Sequence, residues 1–311
     1  MSGRVFGQYV LLALTWGASF LFIKVGLEGL SPAQVVLGRL IAGAVVLFVA
    51  STVSRSPLPR QPIVWLHLLV VALLLCVEPF LLFAWAEQHI SSGLASIYNA
   101  TTPLMTMLVS LIALPSERPT RTRFAGLLAG FAGVTIVLGP WQGSGGGELG
   151  GQLACLAATA CYGIAFVYLR RFVSPRGLAA IPVATVQVGV GAAIMVLLSP
   201  MIATGPITLT PSVVLCVLAL GVLGTGLAYV WNTNVVAGWG ATSASTVTYL
   251  TPLVGVALGV VVLGERISWN EPAGAVVVIL GIALSQGRLA PLIHRLRSRR
   301  KRPATSHDWV I

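Results

Sequence analysis

The stretch ASIYNATTPLMTMLVSLIAL, residues 95–114, decides how this chain is read. Asn99-Ala100-Thr101 has the N-x-T pattern of a sugar acceptor on an outward loop, and Thr102-Pro103 reads as a turn or a helix break. The neighbours overrule the loop. SSGLASI precedes the triplet and LMTMLVSLIAL follows it, so it lies deep inside an apolar run of helical length. The phrase also returns: ASTVTYLTPL, residues 244–253, aligns with ASIYNATTPL, residues 95–104, at an offset of 149. Self-similarity at that distance marks an internal repeat.

Composition sets the frame for the repeat. The 311 residues are 56% hydrophobic and 9% charged, against roughly 25% charged in a soluble domain. Such a chain cannot cover itself in water and is expected to be an all-α integral membrane protein. A helix needs about 20 apolar residues to cross a bilayer. Ten runs qualify, at about 6–27, 34–53, 63–86, 91–113, 122–139, 149–170, 180–201, 211–234, 240–262 and 271–288. The gaps leave no room for a soluble domain, and outer-membrane barrels show short alternating segments instead. The first run exceeds the apolar region of a signal peptide and carries Lys24, so it is expected to be an uncleaved helix.

The net charge of +11 invites a nucleic-acid partner, but its placement argues for lipid. Seven of the 19 basic residues lie at or beyond Arg288, mostly in HRLRSRRKR. A basic run beside a membrane helix sets orientation and touches anionic lipid. Cys76, Cys155, Cys161 and Cys216 all fall inside apolar runs without metal or redox spacing, so they read as packing residues. No metal or cofactor is implied.

With the N-terminus inside, Arg4, Arg55, Arg60, Arg118, Arg121, Arg123, Arg170, Arg171, Arg176 and the basic tail fall on the cytoplasmic side. Outside there is only Arg266, while Lys24 and Arg39 lie within runs. This bias puts both termini in the cytoplasm. The repeat extends accordingly. SERPTRTRFAGLLAGFAG (116–133) aligns with GERISWNEPAGAVVVILG (264–281) at 148, pairing Glu117-Arg118 with Glu265-Arg266. TWGASFLFIK (15–24) aligns with CYGIAFVYLR (161–170), and FAW (83–85) with YVW (229–231), both at 146. Five runs per half is an odd number, so the second half enters the membrane inverted. The expected organisation is one five-helix repeat over 1–140, a second over 149–288, and a basic cytoplasmic tail over 289–311. Inverted repeats point to a secondary transporter with substrate near the midplane.

At WGASF (16–20), ALPSERPTRTRFAGLLAGFAG (113–133) and the long segment from Leu223 to Leu284, the chain resembles the EamA-like transporters of the drug/metabolite transporter superfamily. The resemblance spans residues 6 to 288. It implies ten helices in two repeats and movement of small metabolites across the cytoplasmic membrane; many relatives are exporters of amino acids or other metabolites. The ALPSER ending departs from an LGE-type pattern, through Pro115.

Charged groups at membrane depth are functional candidates by default. Lys24, Arg39 and Glu78 all belong to the outer half. Glu78 precedes Pro79, and its repeat mate is Gly224. Two readings stand for it: a buried acid that couples transport to protons or binds a substrate amine, or a structural ion pair with Arg39 or Lys24. Arg39 could recognise a carboxylate or anchor at the headgroups, and Lys24 reads as a snorkelling anchor. Trp65, Trp85, Trp141, Trp239 and Trp269 fit an interfacial belt. Trp16, its mate Tyr162, Tyr98 and Tyr249 are deep, and suit either a pocket wall or helix packing. Asn99, Thr102 and Thr251 join them as substrate-binding candidates, with Pro79, Pro103 and Pro252 as hinges or plain bends. Tyr229, Asn232 and Asn234 fall toward the inner end of the eighth run. Gly126, Gly130, Gly133, Gly274 and Gly281 read as scaffold or as a homodimer face. None of the histidines, His67, His89, His294 or His307, lies deep in a run, and GSGGG (143–147) opens no nucleotide-binding domain, so an enzyme is not expected. A passive facilitator or channel, and a non-transporting scaffold or sensor, are the alternatives to a carrier.

Overall fold

The computed structural model describes residues 3–113, 120–142, 146–239 and 246–285. Pro115, Glu117-Arg118 and the basic segment from residue 289 lie outside the described residues. Every regular element among those described is helical: α1 (Gly3–Gly26), α2 (Pro32–Val53), α3 (Pro62–Ala72), α4 (Glu78–Ala86), α5 (Ser92–Asn99), α6 (Thr102–Ala113), α7 (Arg121–Leu138), α8 (Gly146–Tyr168), α9 (Ala180–Ile202), α10 (Pro211–Gly221), α11 (Ala228–Trp239), α12 (Val247–Leu263) and α13 (Asn270–Ser285). The pairs α3–α4, α5–α6 and α10–α11 are single apolar stretches with an interruption. Eight spans are thus long and apolar enough to cross a membrane, while α12 and α13 are shorter apolar helices.

The helix ends follow from local chemistry. Ser31, Ser91, Thr120 and Thr210 each accept a bond from a first-turn amide with the side-chain oxygen, which satisfies a donor that has no partner within the helix. Ser31 and Gln34 form a reciprocal capping box. Gln34 also donates to Ala203 O at 3.0 Å and Gly205 O at 2.8 Å, tying the start of α2 to the segment after α9. At the end of α12, Gly264 is left-handed at φ 65°, a conformation that favours glycine.

The exterior is apolar. Val45, Phe48, Leu197, Met201 and Val261 are each more than half exposed, as a lipid-facing surface requires and a water-facing one avoids. The interior holds two main clusters: one gathers Leu40, Val71, Cys76 and Met195, the other Tyr98, Leu104, Cys155 and Ile282.

The glycines of α7 and α13 meet each other. A Cβ on Gly133 would stand 2.6 Å from Val278 N, one on Gly126 2.6 Å from Gly281 O, and one on Gly281 2.5 Å from Gly130 N. The two backbones are therefore in direct contact. This stripe, open beforehand as scaffold or dimer face, is filled from within the chain.

Two interruptions are wide π turns, Leu73–Val77 and Val222–Leu227. In the first, the Glu78 amide bonds Leu73 O, five residues back, just before Pro79. A proline ring clashes with the carbonyl four residues before it in a regular helix, and opening the turn relieves that clash. An inserted residue rotates everything after it by roughly 100°. In the second, Thr225 Oγ1 donates to Leu220 O at 3.2 Å, also five residues back.

Candidate functional site

A cavity of about 170 Å³ lies among α1, α2, α4, α5, α6, α8, α11, α12 and the interruptions at Leu73–Val77 and Val222–Leu227. It is smaller than the roughly 300–1,000 Å³ of drug-sized sites. Its walls are mostly apolar and aromatic, with few polar groups. Five pairs of lining residues sit at the offsets of the sequence repeat. Trp16 faces the same space as Tyr162, Phe20 as Phe166, and Phe83 as Tyr229, at 146; Asn99 matches Thr248 and Thr102 matches Thr251, at 149. Of the residues singled out from sequence, Trp16, Arg39, Asn99, Thr102, Tyr162, Tyr229 and Thr251 line the cavity.

The Thr-Pro pairs supply much of the polar wall, and their threonines explain why the prolines are tolerated. Pro103 cannot bond Asn99 O, and Thr102 Oγ1 donates to that carbonyl instead, at 2.7 Å. Pro252 cannot bond Thr248 O, and Thr251 Oγ1 takes that place at 3.1 Å. A buried carbonyl without a donor is costly, and each pair solves this internally. The backbones differ nonetheless. The chain breaks at Ala100-Thr101 ahead of Thr102, whereas Pro252 sits inside α12.

Tyr98 and Tyr249 do not line this cavity. Tyr98 is buried, and its hydroxyl donates to Gln152 Oε1 at 3.2 Å. Both tyrosines pack in the cluster around Leu104 and Ile282.

Glu78 lies elsewhere again. It is exposed, neither buried nor paired as the sequence reading expected. Phe80 faces the cavity, and a residue two places earlier points roughly 200° away around the helix. Arg39 and Lys24 have other partners. Arg39, 8% exposed, donates from Nε to Thr225 Oγ1 at 2.9 Å and lies 3.6 Å above the Phe80 ring. Lys24 does not snorkel outward; its ammonium donates to the carbonyls of Glu87 and Ile90, closing the C-terminal end of α4 as a cation should.

This last contact exposes a group that sequence reading missed. Glu87 is completely buried, and neither of its carboxylate oxygens has a hydrogen-bond partner. Burial raises the Glu87 carboxyl well above the usual carboxylate range; Lys24 opposes the rise, Glu265 adds to it and Arg39 opposes it. Its spacing from Phe83 and Phe80, four and seven residues, places it on their inward face, a signal present in the sequence once the wide turn is known.

Glu265 works beside it. The left-handed turn at Gly264 folds Glu265 back, and its carboxylate accepts from Ser92 N at 2.7 Å and Gly93 N at 3.0 Å. With Leu94 N held by Ser91 Oγ, the first turn of α5 is fully capped by a negative charge at its positive end. A Cβ at Gly259 would collide with Glu265 Oε2. The GER of the second repeat thus clasps the start of α5 in the first.

The sequence profile of the EamA-like transporter family matches residues 6–139 and again 149–286. The chain is 25% identical over 286 residues to an Escherichia coli protein named "Uncharacterized inner membrane transporter YedA", covering 90% of each. It is 27% identical to the "Probable terminal-alkyne amino-acid exporter" of Streptantibioticus cattleyicolor, over 90% of this chain and 92% of the other. It is 25% identical to the "Probable amino-acid metabolite efflux pump" of Salmonella typhimurium, over 89% and 92%. A protein of known crystal structure shares the fold, with a TM-score of 0.66 at 22% identity over 95% of this chain and 99% of that one. The apolar multi-helix architecture and these relatives describe a multi-pass transporter of the cytoplasmic membrane, and the chain belongs to the EamA-like transporter family.

Proposed function

We propose that this protein is a secondary active transporter that exports small amphipathic metabolites, amino acids among them, by alternating access. In this reading the chain forms ten membrane helices in two inverted five-helix repeats, 1–140 and 149–288. Both termini are cytoplasmic, and the tail 289–311 rests on anionic lipid. The observation that carries the reading is the cavity wall, where five pairs of residues come from matching positions of the two halves. Alternating access in repeat-built carriers works by rocking one half against the other around such a site. The hinges are Pro103, Pro252 and the wide turn at Pro79. The names of the Streptantibioticus and Salmonella relatives support export and amino-acid-like cargo.

Coupling in this scheme falls to a carboxyl that exchanges a proton as the outer end opens. Glu87, buried beside Lys24, fits that task better than the exposed Glu78. The test is counterflow in proteoliposomes, with a panel of labelled amino acids and purified full-length protein. Accumulation of one class over protein-free liposomes is the expected result. A flat response to every solute tested, in protein shown to be folded, would overturn the reading.

A further inference from the structure

Among the described residues, Arg39 is the one member of the cavity wall that carries a charge at neutral pH. No Asp or Glu is among the described residues that line this space. At the offsets of the repeat its mates fall between Thr185 and Val188, none of which is charged. The cation is therefore an addition to the paired scaffold rather than part of it.

Its surroundings hold it without neutralising it. Phe80 covers one face of the guanidinium, and Thr225, inside the second wide turn, accepts the Nε–H hydrogen bond with its Oγ1. The two terminal nitrogens have no hydrogen-bond partner among the described residues. They are not sealed away either, since among the described residues the fully enclosed side-chain polar atoms without partners are the oxygens of Glu87 and Ser92. A guanidinium stays protonated and offers its terminal N–H groups as a planar fork that matches a carboxylate in two parallel bonds. Glu87 does not fill that role, because neither of its oxygens reaches a donor. A desolvated cation with open donors on a mostly apolar cavity lacks only an anion.

We propose that Arg39 is the receptor for a carboxylate on the transported solute, with the apolar body of that solute among Trp16, Phe20, Tyr162 and Phe166. The proposal rests on the transporter reading and narrows it to organic anions and amino acids, excluding cationic amphiphiles. Phe80 and Thr225 are positioning residues: they aim the fork.

Three probes of one shape test this: 4-methylpentanoate, its amide, and 3-methylbutylamine. Binding to the purified full chain in nanodiscs is measured by calorimetry, and each probe is then tried in counterflow. The acid is expected to bind about tenfold or more tightly than the amide, as a hydrogen-bonded charge pair predicts, and the amine not at all. Arg39→Gln should bring acid and amide to the same affinity, and Arg39→Lys should keep part of the difference. The wild-type comparison stands by itself if Arg39→Gln does not fold. Equal affinity for acid and amide in the wild type, preference for the amine, or no binding of the acid at 10-fold the concentration that saturates any other probe would each overturn the proposal. So would an acid preference that survives in folded Arg39→Gln. Counterflow of amide or amine without the acid leaves transport standing and removes the anion site. Binding of the acid with no counterflow of any solute leaves the site standing and removes transport.

Discussion

Two comparisons inside this molecule run in opposite directions. Thr102-Pro103-Leu104 and Thr251-Pro252-Leu253 are the same sequence, yet the first follows a break between helices and the second lies within a continuous one. The wide turns at Leu73–Val77 and Val222–Leu227 share a backbone form but not a sequence: one precedes a proline, the other is the glycine-threonine run VLGTGL. Local sequence therefore does not dictate the backbone here. What these two share is the demand of the cavity, since each delivers a partner to Arg39, Phe80 just after the first and Thr225 inside the second, whereas a third wide turn, Leu169–Val173, ends α8.

The wide turns give the largest expected effect. A Cβ on Gly226 would stand 2.5 Å from Val46 Cβ, so Gly226→Val should destabilise by about 1–3 kcal/mol through overpacking. Pro79→Ala should fold, but let the first turn relax toward an α-helix and turn Phe80 off Arg39. Thermal unfolding in detergent, read alongside 4-methylpentanoate affinity, separates the two. Equal loss of stability in both variants would mean that the turns are not independent solutions.

The Thr-Pro pairs come next. Thr251 is buried at 2% exposure, while Thr102 is only partly buried. Thr251→Val should therefore cost about 0.5–1.5 kcal/mol for the hydrogen bond lost at Thr248 O, and Thr102→Val clearly less, because water in the cavity can take over. Denaturation midpoints of the two variants check the order, and a reversed order would break the comparison. Pro252→Ala should add a helical bond, for about 0.5–1.5 kcal/mol of stability, while slowing counterflow if the bend is a hinge. Pro103→Ala should stay within about 0.5 kcal/mol, because the first turn of a helix tolerates proline.

The smallest effect at mildly acidic pH concerns the stretches after the wide turns, where Glu87 has Thr233 as its counterpart at 146. The Glu87 carboxyl is raised by burial, so the folded protein holds a proton there that the unfolded chain releases. The penalty is absent below the ordinary carboxylate value, and grows as pH climbs from there through the raised one. Stability should fall with rising pH over that window. Glu87→Gln should flatten the slope. Unfolding midpoints between about pH 4 and 8 give the answer, and an unchanged slope in Glu87→Gln would remove Glu87 from the scheme.

Much of this was legible in the residues. The apolar runs set the helices, and the repeat picked out Trp16 with Tyr162 and the two Thr-Pro pairs as deep and matched. Direction around a helix was harder. Tyr98 and Asn99 are adjacent, yet one packs on Gln152 and the other meets the cavity, because neighbours lie about 100° apart. The acid was misplaced for a related reason. Glu78 was chosen for its depth in an apolar run, which does not say which way it faces, and Glu87 lies one residue past the run at 63–86, outside the charges that depth singles out. The short α12 and α13 fall below the length that a uniform count of apolar runs assumes.

The contact of α7 with α13 carries a consequence for any mutational scan. At Gly126, Gly133 and Gly281 even a single added methyl meets backbone, and backbone cannot step aside like the end of a side chain. These positions will score as intolerant as any ligand contact, although they lie off the cavity. Ranking by tolerance alone would place a structural weld on the same list as Arg39, and only a readout of cargo preference would tell one from the other.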